Sequence, residues 1–597
     1  MAHRHLTYQD ITGAIISRYV HSANAALCRN KEAVRASGLD IPEVIVVGGG
    51  ASGIIAATRF AEAGLKTLLL ESGGPFFARD GGQAIQPWQK LIDPNTTITR
   101  HDGMGFFFFG LPTGPGASAF YDSSVPALAP KGLGGGTGVN GAQQFWPPRR
   151  YLDKYFGFQG WTANDFQPAL RRVERRIPTT PAISADGKFY GDEVYEVMRP
   201  VFEGLGFKEV DTNVDVDEKW NTFGRDIFAT KDGLRSGPVV GYLQDAKRLP
   251  NFTVMMYSRV DTIIRDPQRP SVATGVQVNG TVITGRNIVV AAGAWNTSPL
   301  LLRSGIGPRE ELVNAVSTKY TSVSEDQWVV NTWVARNLHD HPTTSVTFVA
   351  DDPSRLPNND LTGLFNGTVS RQDAEDLHFR RIGRLTNFGR QQAAWLGVED
   401  PSNPEHEIVV QLICSTPTTI AGRFQCQFNL NEGILSRGGI TILSNGTVGH
   451  LGGVGPWLTD PEGKDLELYT IALERFVTFA RSVPGLSVVA PLGNATTTAQ
   501  FRQHLLDNAR RTNNRKQFPD DSWTRLTCLD WGGGCALGPS PETACADLNA
   551  KIYGTDNIFV VDGSLTPAPT TSNSAYLYEG VAELASDKIM RLIRRGY

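Results

Sequence analysis

Cysteine is scarce in this chain, with six among 597 residues, at Cys28, Cys414, Cys426, Cys528, Cys535 and Cys545. Their spacing matches no metal-ligand pattern, which argues against a structural zinc module or an iron–sulfur protein. Buried free thiols are the default. The short separations of Cys414 from Cys426 and of Cys535 from Cys545 leave two disulfides open if the protein is exported. Charge of one sign is also missing: 57 Lys and Arg face 60 Asp and Glu, a net charge of -3. Neither nucleic acid nor an anionic membrane is therefore expected as a partner. No apolar run approaches the roughly 20 residues of a membrane-spanning helix. A secretory signal is lacking too, because Gly13–Ile16 is too short an apolar core and Asp10 sits just before it. The expected location is the cytoplasm, or the outside as a mature secreted form. One further absence bears on chemistry: no histidine follows His504.

The length suits two domains, and hydrophobic (40%) and charged (20%) contents are those of an ordinary globular protein. Residues 1–40 read as a helical extension. Glu43 to Val47 is a short β-branched run, followed at once by Gly48-Gly49-Gly50-Ala51-Ser52-Gly53, an apolar helix to Ala63, and a second strand ending in Glu71. This is G-x-G-x-x-G in its proper strand–turn–helix setting. Gly48 permits the tight turn, Gly50 lets backbone approach a pyrophosphate, and Gly53 lets helix and strand pack closely. Ala51 and Ser52 open the helix, whose unpaired N–H groups and positive dipole end attract phosphate. Glu71 is placed to accept from a ribose hydroxyl. The unit predicts a dinucleotide and does not separate NAD from FAD.

Four more segments do separate them: Gly132 to Gly141 (GLGGGTGVNG), Gly293 to Pro308 (GAWNTSPLLLRSGIGP), Ala335 to Pro342 (ARNLHDHP) and Tyr553 to Ser564 (YGTDNIFVVDGS). Together they resemble the glucose–methanol–choline family of FAD-dependent alcohol oxidases and dehydrogenases. The glycine-rich Gly134 to Ala142 stretch is most similar to the flavin domain of cellobiose dehydrogenase. The resemblance implies an α/β fold in which a Rossmann-type FAD domain (41–150, 225–342 and 525–597) is interleaved with an α+β substrate domain (151–224 and 343–524) whose antiparallel sheet roofs the flavin. Alternating apolar positions in 407–413 and 439–443 fit strands of that sheet. Gly135, Gly136, Thr137 and Asn140 would lie along the pyrophosphate and flavin. Val260 would face adenine, and Asp562 and Gly563 the ribityl region. Some relatives tether FAD through a histidine just before the position of Asn140. This chain has Gly138-Val139 there, so non-covalent FAD is expected.

In the family a histidine of a C-terminal His-x-x-Gly segment removes the alcohol proton, and a downstream Asn or His orients the hydroxyl. The matching residues are Asp530, in Leu529-Asp530-Trp531-Gly532, and Asn573. A carboxylate about 4 Å from a second negative charge is repelled by ~4 kcal/mol at an effective dielectric near 20. Asp530 would thus start as a base and become a neutral acid as charge arrives. Each residue has a plainer alternative: Asp530 bonded to backbone N–H groups in the glycine turn, and Asn573 capping a last helix from Ser574 to Arg594. His339 and His341 are expected to brace the domain. Phe107, in the run Phe106 to Phe109, lines a substrate channel or fills the domain interface, and Trp531 lies near the flavin. No metal site is expected. The implied reaction is hydride abstraction from an alcohol or phenolic substrate, with oxygen or a quinone as electron acceptor. Oxidative phenol coupling in natural-product biosynthesis and a non-redox, hydroxynitrile-lyase-like role are the alternatives.

Overall fold

The computed structural model describes residues 41–82, 85, 88–96, 122, 124, 125, 129–356, 368–387, 389–415, 422–453, 455–489, 492–513 and 530–596. The predicted N-terminal helix, the phenylalanine run with Phe107, Cys28 and Cys528 lie outside them.

A five-stranded sheet forms the nucleotide-binding half, in spatial order Phe252–Met255, Thr67–Leu70, Val44–Val47, Asn287–Val290, Ile558–Val560. Every neighbouring pair is parallel. Parallel strands are buried on both faces, which is why these runs are continuously apolar instead of alternating. Helices Ala51–Glu62 and Ala575–Arg595 pack together beside this sheet, and Ala163–Arg176 joins them. An ion cluster ties the three. Glu583, fully buried, meets Arg59 Nε at 3.0 Å and Arg172 Nε at 2.7 Å, and Asp587 receives the same two arginines at 2.7 and 2.6 Å.

The roof is a seven-stranded sheet in the order Leu486–Val488, Thr343–Ala350, Arg423–Glu432, Asn403–Ser415, Arg390–Asp400, Thr222–Arg225, Lys208–Glu209. It is antiparallel except for its last pair. Its register sorts side chains by period two. Val346, Phe348, Phe424, Phe428, Leu412 and Leu396 point to one face and form an apolar core with helices Glu193–Gly204 and Lys464–Ala480. Thr343, Ser345, Gln425, Gln427, Asn429 and Gln411 alternate with them and so belong to the other face. Cys414 and Cys426, directly opposed on neighbouring strands, are disulfide-bonded, as are Cys535 and Cys545.

Two assignments made from sequence need correction. The 439–443 strand (Gly438–Ile442) is absent from the roof. It sits in a four-stranded sheet with Val448–His450, Arg336–His339 and Gly532–Gly534. Its Ile440 and Ile442 join the core of the nucleotide half, as do Tyr151, Phe156, Trp161 and Ile177 from the stretch given to the roof. Alternation reveals that a strand is half-buried but not which layer it faces.

Glu579 of the last helix is fully buried; its Oε2 accepts from Gln144 Nε2 at 2.6 Å, while Oε1 has no partner among the described residues. Burial pushes this carboxyl up to about 8. A raised acid favours the fold while protonated, a contribution complete below about pH 4.5 and lost as pH rises through 8. Glu579→Gln should therefore raise Tm at pH 8.5 by several degrees, and this gain should vanish near pH 5. Scanning calorimetry at the two pH values checks it, and a difference independent of pH would contradict it.

Candidate active site

A cavity of about 680 Å³ runs between the two halves. At one end stand Gly48, Gly50, Ala51, Ser52 and Glu71, with Val260 close by. Gly135, Gly136, Thr137 and Asn140 line its length, with Asp562 and Gly563, and Asp530, Trp531 and Asn573 also face it. Residues spread over more than 500 positions are thus brought to one surface. Of the site residues expected from sequence, Gly53 packs just behind the wall, and Phe107 lies outside the described residues.

The glycines behave as the turn demands. Gly48 has φ +109, and a Cβ there would lie 2.3 Å from Ala291 O; one on Gly53 would lie 1.9 Å from Gly48 O. Gly50 is different. A Cβ would meet only Gly135 Cα, at 4.0 Å, and one on Gly136 would meet nothing within 4 Å. Open space above two glycines, at the start of a 12-residue helix whose cap receives no side-chain hydrogen bond, is the shape a dinucleotide pyrophosphate fills. Val260, Ser258 and Arg259 line the cavity near Glu71.

The two acids expected to hold FAD are partly committed to the protein. Glu71 accepts Gly49 N–H and Gly73 N–H at 2.7 Å each, and burial raises it even so. Asp562 accepts Gly293 N–H (2.7 Å), the Thr297 hydroxyl (2.6 Å) and Ser564 N–H (2.8 Å), and is likewise raised by burial. Both therefore shape the loops around the cavity as well as facing it. Asn140 Oδ1 accepts from Ala142 N–H at 2.9 Å and Arg235 Nη1 at 3.0 Å.

Asp530 sits where three chain segments meet. Its Oδ1 accepts the Ser574 hydroxyl at 2.6 Å and Ser574 N–H at 3.2 Å, and its backbone N–H donates to Asp340 Oδ1 at 2.9 Å. Its Oδ2 lies 3.3 Å from His341 Nδ1. The carboxylate is 15% exposed and the imidazole 1%. Of the two, only Asp530 faces the cavity; His341 stands behind it. His341 is thus more than the brace expected from sequence: it is an imidazole paired with the carboxylate. A ring nitrogen beside a carboxylate carries the proton, so His341 Nδ1–H donates. His339 does brace. Its Nε2 meets Thr566 O at 3.3 Å, and burial, reinforced by the nearby Arg437 charge, holds it well below the usual range, hence neutral. Its ring also packs where a Cβ on Gly532 would be, at 2.3 Å.

Asn573 is not the cap of the last helix; Ser574 is. Asn573 Oδ1 accepts from Gln411 Nε2 at 3.1 Å, and Gln411 Oε1 accepts from Asn431 Nδ2 at 3.2 Å. The amide is therefore oriented with its N–H₂ end left to donate. Tyr578 donates to the carbonyls of Asp530 and Trp531 at 3.1 and 3.0 Å, and burial keeps its phenol neutral. Trp531 belongs to an aromatic wall with Trp295 (5.1 Å), Trp457 (5.3 Å) and His450 (5.9 Å). Sequence reasoning missed Gln411, His450, Arg390, Gln425 and Gln427. For the glutamines a signal existed, the alternation Arg423-Phe424-Gln425-Cys426-Gln427-Phe428-Asn429.

An FAD cradle, a proton-handling carboxylate and an oriented amide on one cavity define a flavin-dependent oxidoreductase site. Residues 43–343 and 436–582 match the N- and C-terminal models of GMC oxidoreductases. The chain belongs to the GMC oxidoreductase family and is an FAD-dependent oxidoreductase acting on alcohols or related substrates. Patulin synthase of Aspergillus clavatus is 24% identical over 629 residues, covering 91% of each protein. Choline oxidase of Arthrobacter globiformis is 24% identical, covering 93% of this chain and 95% of that enzyme. Among solved structures, a formate oxidase variant from Aspergillus oryzae, studied for its effect on FAD modification, superposes with TM-score 0.71 at 16% identity, over 93% of this chain and 99% of that one. A fungal aryl-alcohol oxidase superposes with TM-score 0.68 at 16% identity and the same coverage.

The space above Gly50 provides a test of the cradle. Gly50→Val leaves φ (-73°) allowed and meets little protein, so the fold should persist while FAD is excluded. The variant should purify colourless with a Tm close to that of the apoprotein. Undiminished flavin absorbance at 450 nm (an approximate flavin maximum, expected as for any such cofactor) would show that the cradle lies elsewhere.

Proposed function

We propose that this enzyme holds FAD non-covalently and takes hydride from a carbon bearing a hydroxyl, with Asp530 as the proton acceptor and Asn573 as the group that orients the oxygen. The substrate is an alcohol or a phenolic, aromatic compound, and oxygen or a quinone is the electron acceptor. The observation that carries the reading is that Asp530 and Asn573 face the same cavity as the glycine cradle.

Bound FAD supplies the two-electron acceptor. The protein supplies the rest. Asn573, fixed by Gln411, donates its amide N–H to the substrate oxygen. As the C–H electron pair leaves as hydride, the hydroxyl proton passes to the Asp530 carboxylate and the carbon becomes a carbonyl. Three donors, from Ser574 and His341, favour the ionised carboxylate before the transfer. The start of the last helix, at Ser574, adds its positive dipole end to the same place. The aromatic wall around Trp531 supports a planar substrate. The absence of histidine at Val139 supports non-covalent FAD. Two disulfides support folding in an oxidising compartment.

Asp530→Asn should lower the anaerobic rate of flavin bleaching by about 10²–10⁴-fold with FAD still bound. A rate within threefold of the parent would remove Asp530 from the mechanism. His341→Asn should retain more activity and move the acid limb of the kcat/KM profile to higher pH, because a donor to the ionised carboxylate is weakened; an unmoved profile would make His341 merely structural. Acid precipitation should release all FAD to the supernatant, and a yellow pellet would contradict non-covalent binding.

A further inference from the structure

Four cations line the cavity: Lys131, Arg259, Arg303 and Arg390. Three gather at the adenosine end. Arg303 stacks on Tyr320 at 4.2 Å, the Arg259 charge acts on the same phenol, and Lys131 acts on Glu71. Arg390 is apart from them, at the start of a roof strand. Its guanidinium carbon lies 3.4 Å from where a Cβ on Gly141 would be, so it stands over the glycine-rich segment just past Asn140. It is 9% exposed. Thr343, Ser345, Gln425 and Gln427 surround the same part of the cavity. They come from the polar face of the roof, where Ser345 pairs with Gln427 and Thr343 with Asn429. That face holds a buried amide nitrogen, Asn429 Nδ2, with no hydrogen-bond partner among the described residues. A roof over a purely apolar substrate would not place a guanidinium and several amides there, because each costs desolvation when covered without a partner.

From this geometry we infer that the substrate is an organic anion, a hydroxyl-bearing carboxylate whose carboxylate meets Arg390 and the roof amides while its hydroxyl meets Asp530 and Asn573. The inference rests on the proposed function and adds the substrate class. Opposite charges on one cavity orient such a molecule, since the carboxylate is drawn to Arg390 and repelled by Asp530. The nearest acid to Arg390, Asp226, does not cancel its charge fully: burial pushes Asp226 up to about 7 despite Arg390, and it is already bonded to Gln143 Nε2 and, at 2.9 Å, to Ile227 N–H. The aromatic wall at Trp531 suits a ring between the two polar ends.

The test uses FAD-loaded enzyme and two probes, 4-(hydroxymethyl)benzoate and benzyl alcohol. Titration calorimetry should give at least tenfold tighter binding of the carboxylate, weakening as salt is raised. Arg390→Gln should abolish this preference with FAD content unchanged, and Arg390→Lys should restore part of it. Equal or tighter binding of benzyl alcohol, binding of neither probe, or a preference that survives in Arg390→Gln would overturn the inference. Loss of FAD from Arg390→Gln would assign the guanidinium to the cofactor and overturn it as well. Binding is read without turnover, so failure of both probes to bleach the flavin would count against the redox role of Asp530 while leaving the carboxylate preference measurable.

Discussion

The grip on the Asp530 carboxylate organises this site. Ser574 holds one oxygen from the start of the last helix, His341 meets the other from behind, and Asp340 anchors the backbone N–H. These contacts join segments about 190 and 44 positions away in sequence. They fix the carboxylate at the cavity wall, where a small displacement would cost catalytic geometry. They also settle what surrounds it. Because Ser574 serves the carboxylate, Asn573 is left free of capping and takes its orientation from Gln411.

A carboxylate in the position of an imidazole would be a poor exchange if it stood alone. Buried acids resist ionisation, as Glu71, Asp226, Asp562 and Glu579 all do here. Asp530 differs in being partly exposed to the cavity and in receiving donors on both oxygens. The imidazole missing from the C-terminal segment is present after all, displaced to the layer behind. The pair has the composition of a His–carboxylate dyad, with the carboxylate instead of the imidazole facing the cavity.

Much of this was legible in the sequence, and the gaps have physical causes. The strand–turn–helix unit with Glu71, and the last helix, lay within one residue or a few of their expected ends because local turn chemistry and periodicity set them. The disulfide pairings followed from short separations, which cross-strand neighbours produce. The cavity positions of Asp530, Asn573 and Trp531 came from motif order. Long-range contacts were not legible: nothing near His341 announces Asp530, and the 438–442 strand reads the same whether it joins the roof or the small sheet. Glu71 and Asp562 were assigned to ligand, but donor-rich turns must also be satisfied internally, and these carboxylates do both. The alternating glutamines and asparagines of 425–431 were readable as a polar sheet face and deserved notice, since a buried sheet normally covers two apolar layers.

The most direct measurement is the position of residue 530 in a crystal structure of the FAD-loaded enzyme with an unreactive hydroxyl analogue bound. The account requires an Asp530 carboxylate oxygen within about 3 Å of the analogue's hydroxyl, with the His341 ring behind it and away from the flavin. An imidazole contacting that hydroxyl in place of the carboxylate, or Asp530 turned into the protein, would contradict it.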